Sequence, residues 1–383
     1  MKRVAYYVWI VILGLLVLMG LYNFYVQSVE GFHVTNLREW VPWGLYIASY
    51  VFFIGASAGA TIVGLMIHAF GRQDYKPIGT QAILIGLLCL MAAILFLMAD
   101  LSNLPALLRR PWRILANPTS LFRYLVLVYL LFGLIQLAEL YYATKITRGV
   151  ATDRHHKMAK WLAIIAVPFA LWAVHALTGT AFSVVKAREY WNTPLLPPHF
   201  AIAALVTGTA IIILVTIVRS KATGKKIVSE ETLAHMGKLL AFFLAVTLFF
   251  DFFDILVLNY GETPEGVGVW SLLTSRYAPL FVLNVGGLVV ALLILLFKGG
   301  RTVPGLLVAS VLTIAAVAAY RYNLTVVGLL VPLSPEAFRL YRGLSYSPTI
   351  VELSIAAGIV ALVMFLYTVL TKVVPLEEAV SEA

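Results

Sequence analysis

The sequence predicts an all-α polytopic membrane protein of about ten transmembrane helices, arranged as two four-helix bundles plus flanking helices. Three observations carry that expectation. Of 383 residues, 61% are hydrophobic and only 12% charged, far from the balance of an ordinary soluble domain, and mean hydropathy is +0.93. The apolar residues gather in windows of roughly 20, the length a helix needs to cross hydrocarbon. Most Lys and Arg residues fall between those windows.

In order, the windows lie near 4–27, 44–69, 78–101, 119–146, 158–183, 198–218, 238–259, 278–298, 303–321 and 352–372. Each is read as helix because lipid offers no partner to an unpaired backbone N–H or C=O. The first opens Met1-Lys-Arg, and no small-residue cleavage pattern closes its apolar run, so it reads as a retained anchor. In the second, Gly55-Ala-Ser-Ala-Gly59, and in the fifth, Thr178-Gly-Thr180, supply small side chains that let helices approach closely. The expected organisation is 1–43 as anchor helix and outer loop, 44–183 as a first four-helix bundle, and 184–321 as a second. Residues 322–383 then form an outer loop, a final helix and a tail. Asp100 near the outer end of the third helix has counterparts in Asp251 and Asp254 on the seventh, a hint of a parallel internal repeat.

With the N-terminus inside, 17 of the 28 Lys and Arg residues lie on the inner side. The positive-inside rule then puts both termini in the cytoplasm of a cell-membrane protein. The net charge of +10 calls for no nucleic-acid partner, because its carriers sit in loops at the membrane surface. The longer outer connections, 28–43, 102–118, 184–197, 260–277 and 322–351, offer docking surface to a partner protein. The longest inner connection, 220–237, contains Ser229-Glu-Glu-Thr232, a helix-start pattern. Cys89 is the only cysteine, so the chain forms no internal disulfide and holds no iron–sulfur cluster of its own, which would need several thiolates.

Titratable groups inside spans are costly and mark bundle interiors, water-filled cavities or polar ligands. His175 stands among apolar and hydroxyl residues in Leu171–Phe182, with Asp100, Asp251, Asp254 and His199 also in the outer half. Asp251 and Asp254, three residues apart, share a helix face and are candidates for a proton pathway, against structural pairing with Arg123 or Arg276. Glu139, nearer the inner face, either begins a proton route or pairs with Lys145. His68, His155, His156 and His235 lie at inner ends or loops and read as solvated. A di-haem protein would need facing histidines at matched depth on neighbouring spans, and only His175 lies well inside one.

The stretch Trp43-Gly-Leu-Tyr-Ile-Ala-Ser-Tyr-Val-Phe-Phe-Ile-Gly-Ala-Ser-Ala-Gly59 resembles the polysulfide reductase membrane subunit family, called NrfD or PsrC, including its ten-helix branch. The likeness continues through Asp100-Leu-Ser-Asn103, Asn117-Pro-Thr-Ser120 and Tyr190-Trp-Asn-Thr-Pro-Leu-Leu-Pro197. The resemblance implies a haem-free anchor that binds quinone or menaquinone. It also implies electron exchange with an iron–sulfur, ferredoxin-like subunit on the outer face, itself connected to a molybdopterin catalytic subunit of a sulfur or polysulfide reductase. By position, His175 and Asp100 match the family's polar pocket residues, and Trp43 and Tyr46 are the nearest candidates for its further quinone contacts. The acid is followed here by Leu-Ser-Asn-Leu-Pro, where the family often has Leu-Gly-Arg-Pro.

A quinone needs an apolar slot with hydrogen-bond partners at its two oxygens, and its reduction takes up two protons, which His175 and Asp100 could relay. Two other classes remain open at the level of sequence: a secondary transporter, which would also use broken helices and buried acids, and a structural anchor with no quinone site.

Overall fold

The computed structural model describes residues 3–101, 109–332 and 344–376. Ten helices in it are long and apolar enough to cross a membrane, and no sheet occurs among the described residues. In chain order they are α1 (Arg3–Glu30), α2 (Leu45–His68), α3 (Gly79–Ala99), α4 (Leu121–Thr147) and α5 (Asp153–Ser183). The second half holds α6 (Leu196–Thr223), α7 (Glu230–Tyr260), α8 (Ala278–Leu296), α9 (Val303–Leu330) and α10 (Ile350–Leu370).

Local chemistry sets several ends. Prolines at the first turn start α6, where a missing N–H costs nothing, and Gly224 at φ 73° stops it in the left-handed conformation. Ser229 caps α7 by accepting the Thr232 N–H at 3.0 Å, as the sequence pattern predicts. Thr349 and Glu352 form a reciprocal capping box at the start of α10. Beyond Pro168, α5 widens into a π-helical segment, Phe169–Ala176, before Leu177–Ser183 resumes the α form.

Contacts run α2–α3–α4–α5 and back to α2 through the π segment, and α6–α7–α8–α9 and back to α6. The two groups meet where α2 crosses α6. There Gly59 and Gly208 bring the backbones so close that a Cβ on Gly59 would stand 1.8 Å from the Ala204 carbonyl oxygen. The helix α1 pairs with α10, which also packs on α3. Trp9 Nε1 donates to Thr368 Oγ1 at 3.2 Å across the α1–α10 pair, whose lipid-side residues stay exposed.

Three sequence expectations are corrected. The ninth span does not end near 321: α9 runs to Leu330, and the apolar run after Tyr322 keeps it helical. The outer connection 260–277 contains a short helix, Pro264–Thr274, capped by Thr263. His235 is no loop residue; it stands in the second turn of α7, and its Nδ1 meets the Tyr75 hydroxyl at 2.7 Å, tying α7 to the α2–α3 connection. The residues Ser102-Asn103, the middle of 322–351 and the end of the tail lie outside the described residues.

Candidate functional site

Buried polar side chains collect in three places. The first is at the outer ends of α1, α2, α3 and α10. Tyr46 is fully buried, and its hydroxyl donates to Gln27 Oε1 at 2.6 Å while Gln27 Nε2 donates to the Ala99 carbonyl at 2.8 Å. Asp100 closes α3 within electrostatic range of Tyr46 and Glu352. Its Oδ1 is buried with no hydrogen-bond partner among the described residues. Glu352 is engaged: it accepts from Asn36 N–H at 3.0 Å, Thr349 N–H at 2.9 Å and the Tyr346 hydroxyl. Trp43 stacks on Trp191 at 5.6 Å and meets Phe182 edge-on at 5.5 Å. Trp191 Nε1 donates to the Leu324 carbonyl at 2.8 Å, which pins the Tyr190–Pro197 motif to α9.

The second place is the junction of the two helix groups. His175 on the π segment is fully buried and packs on Phe200, ring centroids 5.2 Å apart. Its Nε2 lies 3.2 Å from Nη2 of Arg321. Guanidinium can only donate, so Nε2 accepts and the neutral ring carries its hydrogen on Nδ1. That Nδ1 has no protein partner among the described residues. A Cβ at Gly55 would approach the His175 ring to 2.9 Å, so the glycine makes room for it. Arg321 is itself buried, its Cζ 3.9 Å from the Phe200 ring centroid. Below them runs a hydroxyl chain, Tyr50 to Tyr129 and Tyr129 to Thr178 at 2.7 Å.

The third place is one helix further. His199 lies between two acids: Nε2 is 3.3 Å from Asp251 Oδ1 and Nδ1 is 3.4 Å from Asp254 Oδ2. The Nε2 approach lacks hydrogen-bond alignment, so its attraction is charge–charge. The Tyr320 hydroxyl also reaches Nδ1 at 3.2 Å, and Phe250 stacks on the ring. Beside this cluster lies a cavity of about 100 Å³, lined by Asp251, Asp254, Asn284, Tyr320, Asn323 and Tyr190 among apolar neighbours.

The sequence-derived candidates are thus distributed. Asp100, Trp43 and Tyr46 sit at the outer end, while His175 joins Arg321, next in the chain to the Tyr320 that bonds His199. Asp251 and Asp254 find their partner in His199 rather than in Arg123 or Arg276. Glu139 is buried on α4; Lys145 does not pair with it among the described residues and lies over the Tyr141 ring at 5.7 Å. Sequence reasoning missed Arg321, Tyr320, Asn284 and Asn323. The signal was present for Arg321, whose flanking apolar run continues to Leu330. Among the described residues no group of three or more His, Cys, Asp or Glu could hold a metal ion, and Cys89 is a buried free thiol.

Known proteins align along nearly the whole chain. A membrane-protein relative from Mesobacillus selenatarsenatis, a component of its selenate reductase, is 26% identical over 95% of this chain and 93% of its own. An Hdr-like menaquinol oxidoreductase integral membrane subunit of Archaeoglobus fulgidus is 25% identical over 99% and 96%. A menaquinone reductase integral membrane subunit of Nitratidesulfovibrio vulgaris is 28% identical over 82% and 80%. The sequence pattern of the polysulphide reductase NrfD family matches residues 33–333, which spans nine of the ten helices at least in part. With this match and the ten-helix all-α fold, the chain belongs to the NrfD family of polysulphide reductase membrane subunits.

Proposed function

We propose that the chain is a haem-free quinone- or quinol-reactive membrane subunit of a respiratory oxidoreductase complex, not catalytically complete alone. It exchanges electrons with an iron–sulfur, ferredoxin-like subunit docked on its outer face and, through that subunit, with a molybdopterin catalytic subunit. Two relatives carry menaquinone or menaquinol in their names, which supports menaquinone as the ligand class. One cysteine cannot ligate a cluster, so electrons must leave the chain to a partner. Both termini are assigned to the cytoplasm on the distribution of Lys and Arg.

The observation that carries the reading is the orphaned Asp100 Oδ1, buried at the outer end of α3 beside the Tyr46–Gln27 pair. A buried carboxylate oxygen without a partner is costly unless something meets it. A quinone site's needs fit this donor set: aromatic walls from Trp43 and Tyr46, a titratable acceptor in Asp100 and a polarised donor in His175. A quinol, when bound, supplies two electrons and two protons. The Nδ1–H of His175, held in that tautomer by Arg321, would orient a carbonyl oxygen. Asp100 Oδ1 would take a proton at the outer face. With Nε2 already occupied by a cation, His175 is better suited to orient than to accept.

The test is lipid extraction and mass spectrometry of the gently purified complex, together with quinol-driven reduction of the partner's clusters. Bound quinone, with reduction lost in Asp100→Asn and weakened in His175→Ala, is the expected result. Full reduction in both assembled variants overturns the site; no quinone and no quinol-linked reduction in the native complex overturns the function.

A further inference from the structure

We propose that His199, Asp251 and Asp254, with the cavity beside them, form a proton-holding site that exchanges with water on the side of the 184–195 connection. Arg321 ties the charge of that site to His175. This goes beyond the quinone reading, because the cavity does not suit a quinone. Its volume, about 100 Å³, is roughly the share of three waters at about 30 Å³ each, and lies below the ~150 Å³ that admits benzene.

The lining asks for water. Asn323, only 2% exposed, has neither amide atom bonded among the described residues. Asn284 Nδ2 and Asp251 Oδ2 are likewise buried without a partner. These groups line one cavity from α7, α8 and α9, and water with two to four polar neighbours satisfies such atoms. Glu189, Tyr190 and Thr193 of the 184–195 connection line the same cavity, so its water reaches the outer side.

Charge balance then places a proton. Two carboxylates face one guanidinium, Arg321, and a neutral His199 would leave one negative charge uncompensated in a low-dielectric interior. A second proton on His199 balances the group, and both ring nitrogens lie within 3.4 Å of a carboxylate oxygen. The other titratable groups facing the cluster are Tyr320 and Arg321 on α9, His175 on α5, and Tyr190 and Glu189 from the connection; α8 contributes only the amide of Asn284 to this polar lining. A hydronium in the cavity gives its proton to the cluster and stays behind as water; release is the reverse, and no electron moves. Arg321 hydrogen-bonds His175 and follows directly the Tyr320 that bonds His199, so loading or emptying the cluster changes the field at the His175 ring.

Infrared difference spectra of the lipid-reconstituted complex after a pH jump, with ring-labelled histidine, test this. The expected native response contains an imidazolium signal that His199→Gln removes. Asn323→Leu, which closes the cavity without removing a titrating group, is expected to slow exchange at least tenfold. Asn284→Leu closes the same cavity from α8 and serves if the first variant does not fold. A native response lacking any His199-dependent change, or native-rate exchange in the folded cavity-closing variants, overturns the proposal. Quinol-driven cluster reduction, measured in parallel, reports on the quinone reading alone, since the infrared response needs no quinone.

Discussion

Arg321 gives the sharpest energetic prediction. Its guanidinium is buried, stacked 3.9 Å over Phe200 and bonded at 3.2 Å to His175, with Asp251 and Asp254 held nearby on His199. Arg321→Met removes a fixed cation that faces two carboxylates. It forfeits a desolvated cation–π contact of about 2 kcal/mol and a charged hydrogen bond of about 1.5–3 kcal/mol. Relief of the guanidinium's own desolvation, which leaves Nε and Nη1 unpaired in the native chain, returns part of this. A net loss of about 3 kcal/mol follows, within the range for breaking a buried charge pair. Arg321→Lys keeps the charge but not the flat stack, and a loss of about 1–2 kcal/mol is expected from the weakened cation–π contact. The assay is the thermal midpoint of the complex in lipid nanodiscs, with a drop on the order of 5 °C for Arg321→Met and less for Arg321→Lys. The Met deficit should shrink on acidification, because protonated carboxylates need no counter-charge. A Met variant as stable as the native chain, or less stable than Lys by the same margin at every pH, refutes the electrostatic argument.

Gly59→Val or Gly208→Val is expected to abolish assembly by size-exclusion chromatography, since a Cβ at either position overlaps backbone of the facing helix, whereas Gly14→Ala, with open space around it, is expected to behave as native. Tyr129→Phe breaks the hydroxyl chain from Tyr50 to Thr178 and should cost about 1–3 kcal/mol in the same thermal assay. Glu265 accepts the Glu189 N–H at 2.9 Å outside the spans, and burial holds its carboxyl above the usual Glu range despite that bond and Arg188. Its contribution is therefore full below the ordinary Glu value and lost as pH rises through the elevated one, so Glu265→Gln should flatten the native fall in stability across that interval.

The spans were legible because hydrocarbon imposes a length and a composition that a run of roughly 20 residues cannot hide. The small residues of Gly55–Gly59 announced a close crossing for the same reason: a backbone contact such as Gly59–Gly208 tolerates nothing larger. Individual polar residues were legible as expensive, but not their companions. His175 and Asp251 lie far apart in sequence, and only packing of α5, α6 and α9 reveals that Arg321 and His199 stand between them. Arg321 itself was misplaced because a charge at the edge of an apolar window reads as a boundary, whereas here the burial of the guanidinium against Phe200 lets the helix continue. The short helix Pro264–Thr274 was hidden because its 11 residues leave too few turns for a periodic signal.

The widened turn in α5 has a consequence for how this helix can vary. A π segment accommodates an additional residue without ending the helix, and each residue in an α-helix advances the face by about 100°. Between Asp153–Pro168 and Leu177–Ser183 the segment therefore acts as a phase shift: it sets the azimuth of Thr178 on its hydroxyl chain independently of that of Ala163 against α2. Deleting one residue from Phe169–Ala176 would leave a span of adequate length and unchanged hydropathy, yet turn one half of it out of register with the other. In this helix the count of residues matters more than their kind.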